Sequence, residues 1–284
     1  MAASLIPGQP TSRRALRVSS LVAWSVSAAG LLVLAFVVFV LLGSKVQANR
    51  AQDVLYGQLA EKLAAATAPI SGAIEAGTPI AVLEVPRLGL REVLLQGSSA
   101  DQTADGPGLK SDTAFPGQAG NSLVVGRRAS FGAPFRHLDR LRDGDQLKVT
   151  TGQGVSTFTV DLVRHSDDPA ATIPTAASRL TLVTSDPAFT PTRQVIASAA
   201  LVGTPKPTST VAVGRLGERP GEHSLDDAIV VLLWTQALLL LAYLITKLGL
   251  RFGRRAIWIG ATPVLLAVLW NVFEGAAALL PNTL

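Results

Sequence analysis

The chain has 284 residues, is 48% hydrophobic with mean hydropathy +0.38, and carries a formal net charge of +5. That is too apolar for a simple soluble globule, so membrane segments must account for the excess. It has no cysteine, which excludes disulfides, thiolate metal sites and any thiol nucleophile. The basic balance could suit nucleic acid, but the cations gather near the ends of apolar segments, where membrane topology explains them; no nucleic-acid partner is expected.

Residues 1–18 form a polar leader with Arg13, Arg14 and Arg17, and residues 19–43 are apolar enough to cross a bilayer of ~30 Å as a helix. The run exceeds a usual signal core and has no convincing small-x-small cleavage site, so it reads as an uncleaved anchor with the arginines in the cytoplasm. Residues 44–77 hold a juxtamembrane helix and a linker. Leu55, Leu59 and Leu63 recur every four positions as one apolar stripe, read as a stripe covered locally on a stalk rather than docked on the following domain. Pro69, Gly72 and Gly77 break that helix.

Residues 78–203 switch to short strand patterns, at 80–86, 91–96, 122–126, 146–150, 156–163, 179–184 and 193–202. The stretch between the second and third reads as a loop rich in Asp, Gly and Pro. Gly132-Ala-Pro-Phe135 opens a short helix, with Phe135, Leu138 and Leu141 on one side. A loop with Pro169 and Pro174 precedes the last two strands. About eight short strands and little helix argue for a closed or nearly closed β-barrel, because closure removes exposed edges.

A linker at 204–225 leads to apolar segments at 226–247 and 256–275, with a tail at 276–284. The intervening loop, 248–255, follows Lys247 and contains Arg251, Arg254 and Arg255, which place it in the cytoplasm. Asp226, Asp227 and Glu274 then fall outside, and Pro263 is expected to kink the third span or shift its start. The fold class is therefore mainly β outside the membrane, with one N-terminal and two C-terminal transmembrane helices.

Two signatures end at the rim of this domain: Asn121-Ser-Leu-Val-Val-Gly-Arg-Arg128 and Leu180-Thr-Leu-Val-Thr-Ser-Asp-Pro187, with Arg193 opening the next strand. Together with Gly106-Pro-Gly108, Phe115-Pro-Gly-Gln-Ala-Gly-Asn121 and Phe131-Gly-Ala-Pro-Phe135, they resemble the sortases, membrane-anchored cysteine transpeptidases of Gram-positive bacteria. The resemblance covers roughly residues 78–203 and implies an eight-stranded sortase barrel. It also implies that residues 127, 185 and 193 share one groove as the catalytic positions. Family members carry histidine and cysteine at the first two; here they are Arg127 and Ser185, and only the arginine, Arg193, survives.

A serine hydroxyl needs a group to take its proton, and a guanidinium cannot be that group near neutral pH. His137, His165 and His223 have no sequence reason to approach Ser185; His137 and His165 are expected to face water, and His223 lies in the linker. Asp186 is expected to pair with an arginine. The resulting expectation is a catalytically degenerate sortase of the cell membrane, multi-pass, with its barrel on the extracytoplasmic side. Arg127 and Arg193 face Ser185 in this reading, with Arg128 behind. The arginines either fill space neutralised by acids or bind a carboxylate or phosphate on a substrate. Surface-protein sorting peptides or an active sortase are the expected partners, and no cofactor or metal is expected. An active serine-dependent transpeptidase, with a base supplied from elsewhere, and a purely structural membrane protein are the competing classes.

Overall fold

The computed structural model describes residues 30–70, 72, 74–168, 178–189, 191–208, 225–252 and 254–278. The leader arginines, the start of the first span, Pro169, Pro174, His223, most of the linker and the tail beyond residue 278 lie outside the described residues. So do the side chains of Asp226, Asp227, Arg251, Arg254 and Arg255.

The chain divides into two compact units after Phe39. In the first, residues 30–38 are helical. A π-helical turn covers Phe39–Gly43, and α1 follows at Ser44–Ala64. Helix is thus unbroken over Gly30–Ala64. Leu59 on α1 is 1% exposed and packs on Val82 and Val93, with Leu55 and Leu63 half-buried beside it. The stripe is docked on the outer wall of the folded domain, contrary to the reading of a locally covered stalk. The physical reason is that Val82 and Val93 form an apolar cross-strand pair on the outside of that domain, and such a pair needs cover.

Eight strands build that domain: β1 Pro79–Val85, β2 Leu90–Gln96, β3 Gly108–Leu109, β4 Gly120–Val125, β5 Gln146–Thr151, β6 Gly154–His165, β7 Ser178–Asp186 and β8 Arg193–Leu201. They close into a barrel in the order β1-β2-β3-β4-β7-β8-β6-β5. β2 pairs with β3 and β4 with β7 in parallel; the other contacts are antiparallel. Leu83, Leu94, Val124, Leu147, Phe158 and Leu182 are among the side chains that fill the interior.

Two elements fall in the stretch expected to be loop. Ser99 and Gln102 form a capping box that starts α2, Ala100–Asp105. β3 is only two residues long, and Gly108 is required there, since a Cβ would lie 2.0 Å from the Gly97 carbonyl oxygen. The helix expected after Gly132 is instead a loop in which Phe131, Gly132 and Ala133 all have positive φ, followed by a single 3-10 turn at Leu138–Arg140. Phe135, Leu138 and Leu141 are nevertheless buried in the core. Phe135 enters it because Gly126 has no Cβ; one would stand 2.5 Å from the ring.

The C-terminal segments are α3, Leu225–Phe252, and α4, Arg254–Ala278. They pack together, with Gly275 close against Val231. The expected loop at 248–255 is thus helical on both sides of Gly253, and Pro263 lies inside α4 rather than at its start. Among the described residues three helices, Gly30–Ala64, Ile229–Leu248 and Ile259–Ala277, are long and apolar enough to cross a membrane. Gln47 of α1 donates to Glu274 of α4 at 2.7 Å.

One core-facing position does not carry a core residue. Val93 faces α1, so Leu90, Glu92 and Leu94 share the opposite, inner face of β2, and Glu92 stands directly across from the buried Leu83. Burial lifts the Glu92 carboxyl from 4.5 to about 7. The folded chain therefore holds a proton there that the unfolded chain releases, so stability falls as pH rises from 4.5 to about 7 and then levels off.

In detergent, the denaturation midpoint of the full chain is expected to drop across that pH window, and Glu92→Gln should flatten the drop. Leu59→Ala should lower stability by roughly 2–4 kcal/mol through the cavity left between α1 and the barrel, read by chemical denaturation. Partly buried Leu63→Ala should cost less.

Candidate active site

The candidate site is set by strand register. β4 and β7 run parallel with Val125 beside Val183, and the pairing extends one step further through Gly126 N–H donating to Val183 O at 3.1 Å. Thr184 Oγ1 donates to Gly126 O at 2.8 Å. Continuing two residues past the last pair puts Arg127 alongside Ser185 on one face. Arg128 and Asp186 fall on the other. β8 is antiparallel to β7, with Ser185 opposite Gln194 and Asp186 opposite Arg193.

This alternation separates the expected groove into two clusters. In the first, Arg127 is 0% exposed and Ser185 1%. The Arg127 guanidinium donates to Ala100 O at 2.8 Å and to Ser130 Oγ at 3.2 Å, and its Cζ lies 4.6 Å from the centroid of the Phe131 ring. Its Nε has no hydrogen-bond partner among the described residues. Burial pulls Arg127 down to about 10, partly offset by the charge of Asp101. A group at about 10 still stays protonated at neutral pH and can only donate. The Phe131–Ala133 loop that covers it is held by Ser44 of α1, whose Oγ accepts the Phe131 N–H at 2.9 Å. Two non-glycine residues with φ near +50° in that loop are a local strain that the surrounding packing must hold in place.

The second cluster surrounds Asp186. Arg193 Nε reaches its carboxylate at 2.6 Å, Arg128 Nη2 at 3.2 Å and His165 Nε2 at 3.4 Å. Arg128 also meets Asp139 at 3.5 Å and donates to Ser185 O at 3.2 Å, while Arg193 meets Asp167 at 3.4 Å. Two guanidiniums are thereby set among three carboxylates. Burial pushes the Asp186 carboxyl up, but the hydrogen bond from Arg193 and the charges of Arg128, Arg193 and His165 together hold it below its usual value.

The expected arrangement of Arg127 and Arg193 facing Ser185 is thus revised. The Arg127 guanidinium is directed to Ala100, Ser130 and Phe131, Arg193 is held by Asp186 and Asp167, and Arg128 rather than Arg127 reaches the Ser185 backbone. The reason is geometric, since successive side chains on a strand leave on opposite faces. The pairing of Asp186 with an arginine is as the sequence suggested. His165 departs from expectation: it is partly exposed but engages Asp186, because β6 runs beside β8 and brings His165 opposite Val195. Standing with Asp186, it lies on the face opposite the Ser185 side chain. His137 is exposed and lies on the loop side of the barrel. The sequence reading missed Ala100, Ser130 and Phe131 as the surroundings of Arg127. The Ser99-Ala-Asp-Gln102 capping-box pattern was the available signal for α2, which supplies Ala100. Among the described residues no group of three or more His, Cys, Asp or Glu could hold a metal ion.

A closed eight-stranded barrel with a parallel β4–β7 pair bringing two rim residues together defines a class of protein, and sequence comparison places it. Residues 83–202 match the Sortase domain family. The chain is 27% identical to Sortase D of Bacillus subtilis over 116 residues, covering 40% of this chain and 57% of that protein. It is 30% identical to Sortase SrtE1 of Streptomyces coelicolor over 131 residues, covering 43% of this chain and 36% of that protein. The chain thus spans little more than half the length of one curated relative and about a third of the other. Among solved structures, sortase E of Streptomyces avermitilis is similar at 29% identity and a TM-score of 0.41, covering 46% of this chain and 93% of that one. The Sortase D5 transpeptidase of Clostridium perfringens is similar at 23% identity and 0.46, covering 54% and 99%. The barrel, over residues 83–202, is what matches the sortase family.

Asp186→Asn tests the charge cluster. Because the folded carboxyl titrates below 3.8, its contribution is present above that value and is lost as pH falls through the lower folded value. The stability gap between wild type and Asp186→Asn should be full at neutral pH and close under acid, read by denaturant midpoints.

Proposed function

We propose that this protein is a catalytically degenerate sortase of the cell envelope, which holds or scaffolds surface-protein substrates or a partner sortase without cleaving the peptide itself. The observation that carries the reading is the state of Arg127. At the position where the resemblance calls for a histidine, there is a buried guanidinium that remains protonated and has its own donors engaged by Ala100 O and Ser130 Oγ. A positioned base typically contributes about 10²–10⁴ in rate, and this group cannot act as one. Ser185 compounds the loss, since a hydroxyl, unlike a thiol, is not appreciably ionised near neutral pH.

The alternative of a serine-dependent transpeptidase needs a base on the Ser185 side. His165 is paired with Asp186 and leaves the strand region on the other face, so it does not fill that role. Anion capture by the two arginines is also disfavoured, because Arg193 is already shared by Asp186 and Asp167. What supports a holding role is the retained barrel, while three helices of membrane-spanning length support residence in the membrane. The barrel is placed on the extracytoplasmic side, with the short turn between α3 and α4 in the cytoplasm, following the charge distribution of the sequence.

The full chain in detergent, incubated with a sorting-signal peptide and hydroxylamine, is expected to release no hydroxamate above background. Ser185→Cys alone should stay silent for lack of a base, whereas Arg127→His combined with Ser185→Cys should raise product measurably. Turnover by the wild type that disappears in Ser185→Ala would overturn the proposal.

A further inference from the structure

A pocket lies on the α1 side of the loop that covers Arg127. It is a cavity of about 540 Å³ between the start of α1, the β1–β2 connection and the 129–137 loop, and it includes none of Arg127, Arg128, Ser185 or Asp186. That volume is in the range of small-molecule sites. Its apolar wall comes from Leu41, Leu42, Leu88, Leu90 and Pro134, and its polar groups are Lys45, Glu92, Arg136 and His137.

Three features of this pocket point to its occupant. Glu92 occupies a core-facing position of β2, half-buried, with no hydrogen bond or ion pair among the described residues. A carboxyl placed among Leu83, Leu90 and Leu94 costs stability unless something pairs with it, and such violations of the local pattern are expected at functional sites. Next, the cations Lys45 and Arg136 line the same cavity but form no ion pair with Glu92 or with another acid among the described residues. Two cations and a carboxyl thus share one cavity without meeting. Last, Leu41 and Leu42 end the apolar run, Leu42 is 66% exposed, and Lys45 follows within one turn. The cavity therefore opens where the first helix passes from hydrocarbon to headgroup depth.

From this geometry we infer that the pocket binds the headgroup of an aminophospholipid, with its primary ammonium at Glu92, its phosphate diester at Lys45 and Arg136, and its acyl chains along Leu41 and Leu42. An anionic lipid without an amine would satisfy the two cations and leave Glu92 unmatched. A free phosphate would use neither Glu92 nor the leucines. An ammonium supplies the positive charge and the donors that let the isolated Glu92 carboxyl ionise in place. This inference is independent of whether the barrel performs transpeptidation.

The test is lipid retention by the full chain, purified in detergent and exchanged against phosphatidylethanolamine or phosphatidylglycerol, read by native mass spectrometry. Wild type should retain phosphatidylethanolamine in preference to phosphatidylglycerol. Glu92→Gln, close in shape, should lower retention of phosphatidylethanolamine about tenfold, the loss of roughly one charge-assisted hydrogen bond, and leave phosphatidylglycerol unchanged. Lys45→Ala with Arg136→Ala, at exposed positions that should not disturb folding, should weaken retention of both. Soluble glycerophosphoethanolamine should fail to compete at equal concentration. Equal retention of the two lipids, undiminished phosphatidylethanolamine in Glu92→Gln or in the double variant, or full competition by the soluble headgroup would each overturn the assignment.

Discussion

The parallel pairing of β4 with β7 is the constraint on which the rest of the site depends. Because the two strands advance in the same direction from Gly120 and Ser178, their ends emerge together at the barrel rim. Any residue placed two beyond Val125 then becomes a neighbour of any residue two beyond Val183. A parallel pair cannot be closed by a tight turn, so the chain between these strands must make a long excursion, and here the β5–β6 hairpin fills it. The register is maintained by backbone hydrogen bonds and by Thr184 on the Gly126 carbonyl. It is therefore indifferent to the chemistry of the side chains it juxtaposes. That indifference explains how a sortase barrel can keep its form when the paired residues are an arginine and a serine.

Arg127 and Asp186 are accommodated differently. Arg127 is integrated into the packing: its charge is spread over a carbonyl, a hydroxyl and an aromatic face, with Asp101 nearby. The loop above it is tied to α1 through Ser44, which couples the site to the juxtamembrane helix. Asp186 instead gathers Arg128, Arg193 and His165 into a charge network on the opposite face. Arg193, at the position the resemblance assigns to the family's arginine, is committed to pairing with Asp186 and Asp167. A matching residue type is thus a weaker indication of role than its hydrogen-bond partners.

The α1 side of the barrel has a separate logic. The leucine stripe of α1 covers Val82 and Val93, so this helix is part of the domain's packing rather than a tether. The same β2 strand that receives this stripe on its outer face carries Glu92 on its inner face. Alternation along one strand therefore places helix docking and an isolated carboxyl back to back.

By itself the sequence determined the β-rich domain, seven of its eight strands, the apolar helices and the absence of any cysteine. These follow from periodicity, run length and residue identity, which are local properties. β3, two residues long, and α2 behind its capping box were too short to show a period. Only the tertiary structure decided that the Arg127 guanidinium lies under Phe131, that Arg128 reaches Ser185, and that His165 meets Asp186. Those contacts join residues up to 57 positions apart in the case of Arg128 and Ser185. They depend on which strands become neighbours when the barrel closes, and no window of the chain contains that information.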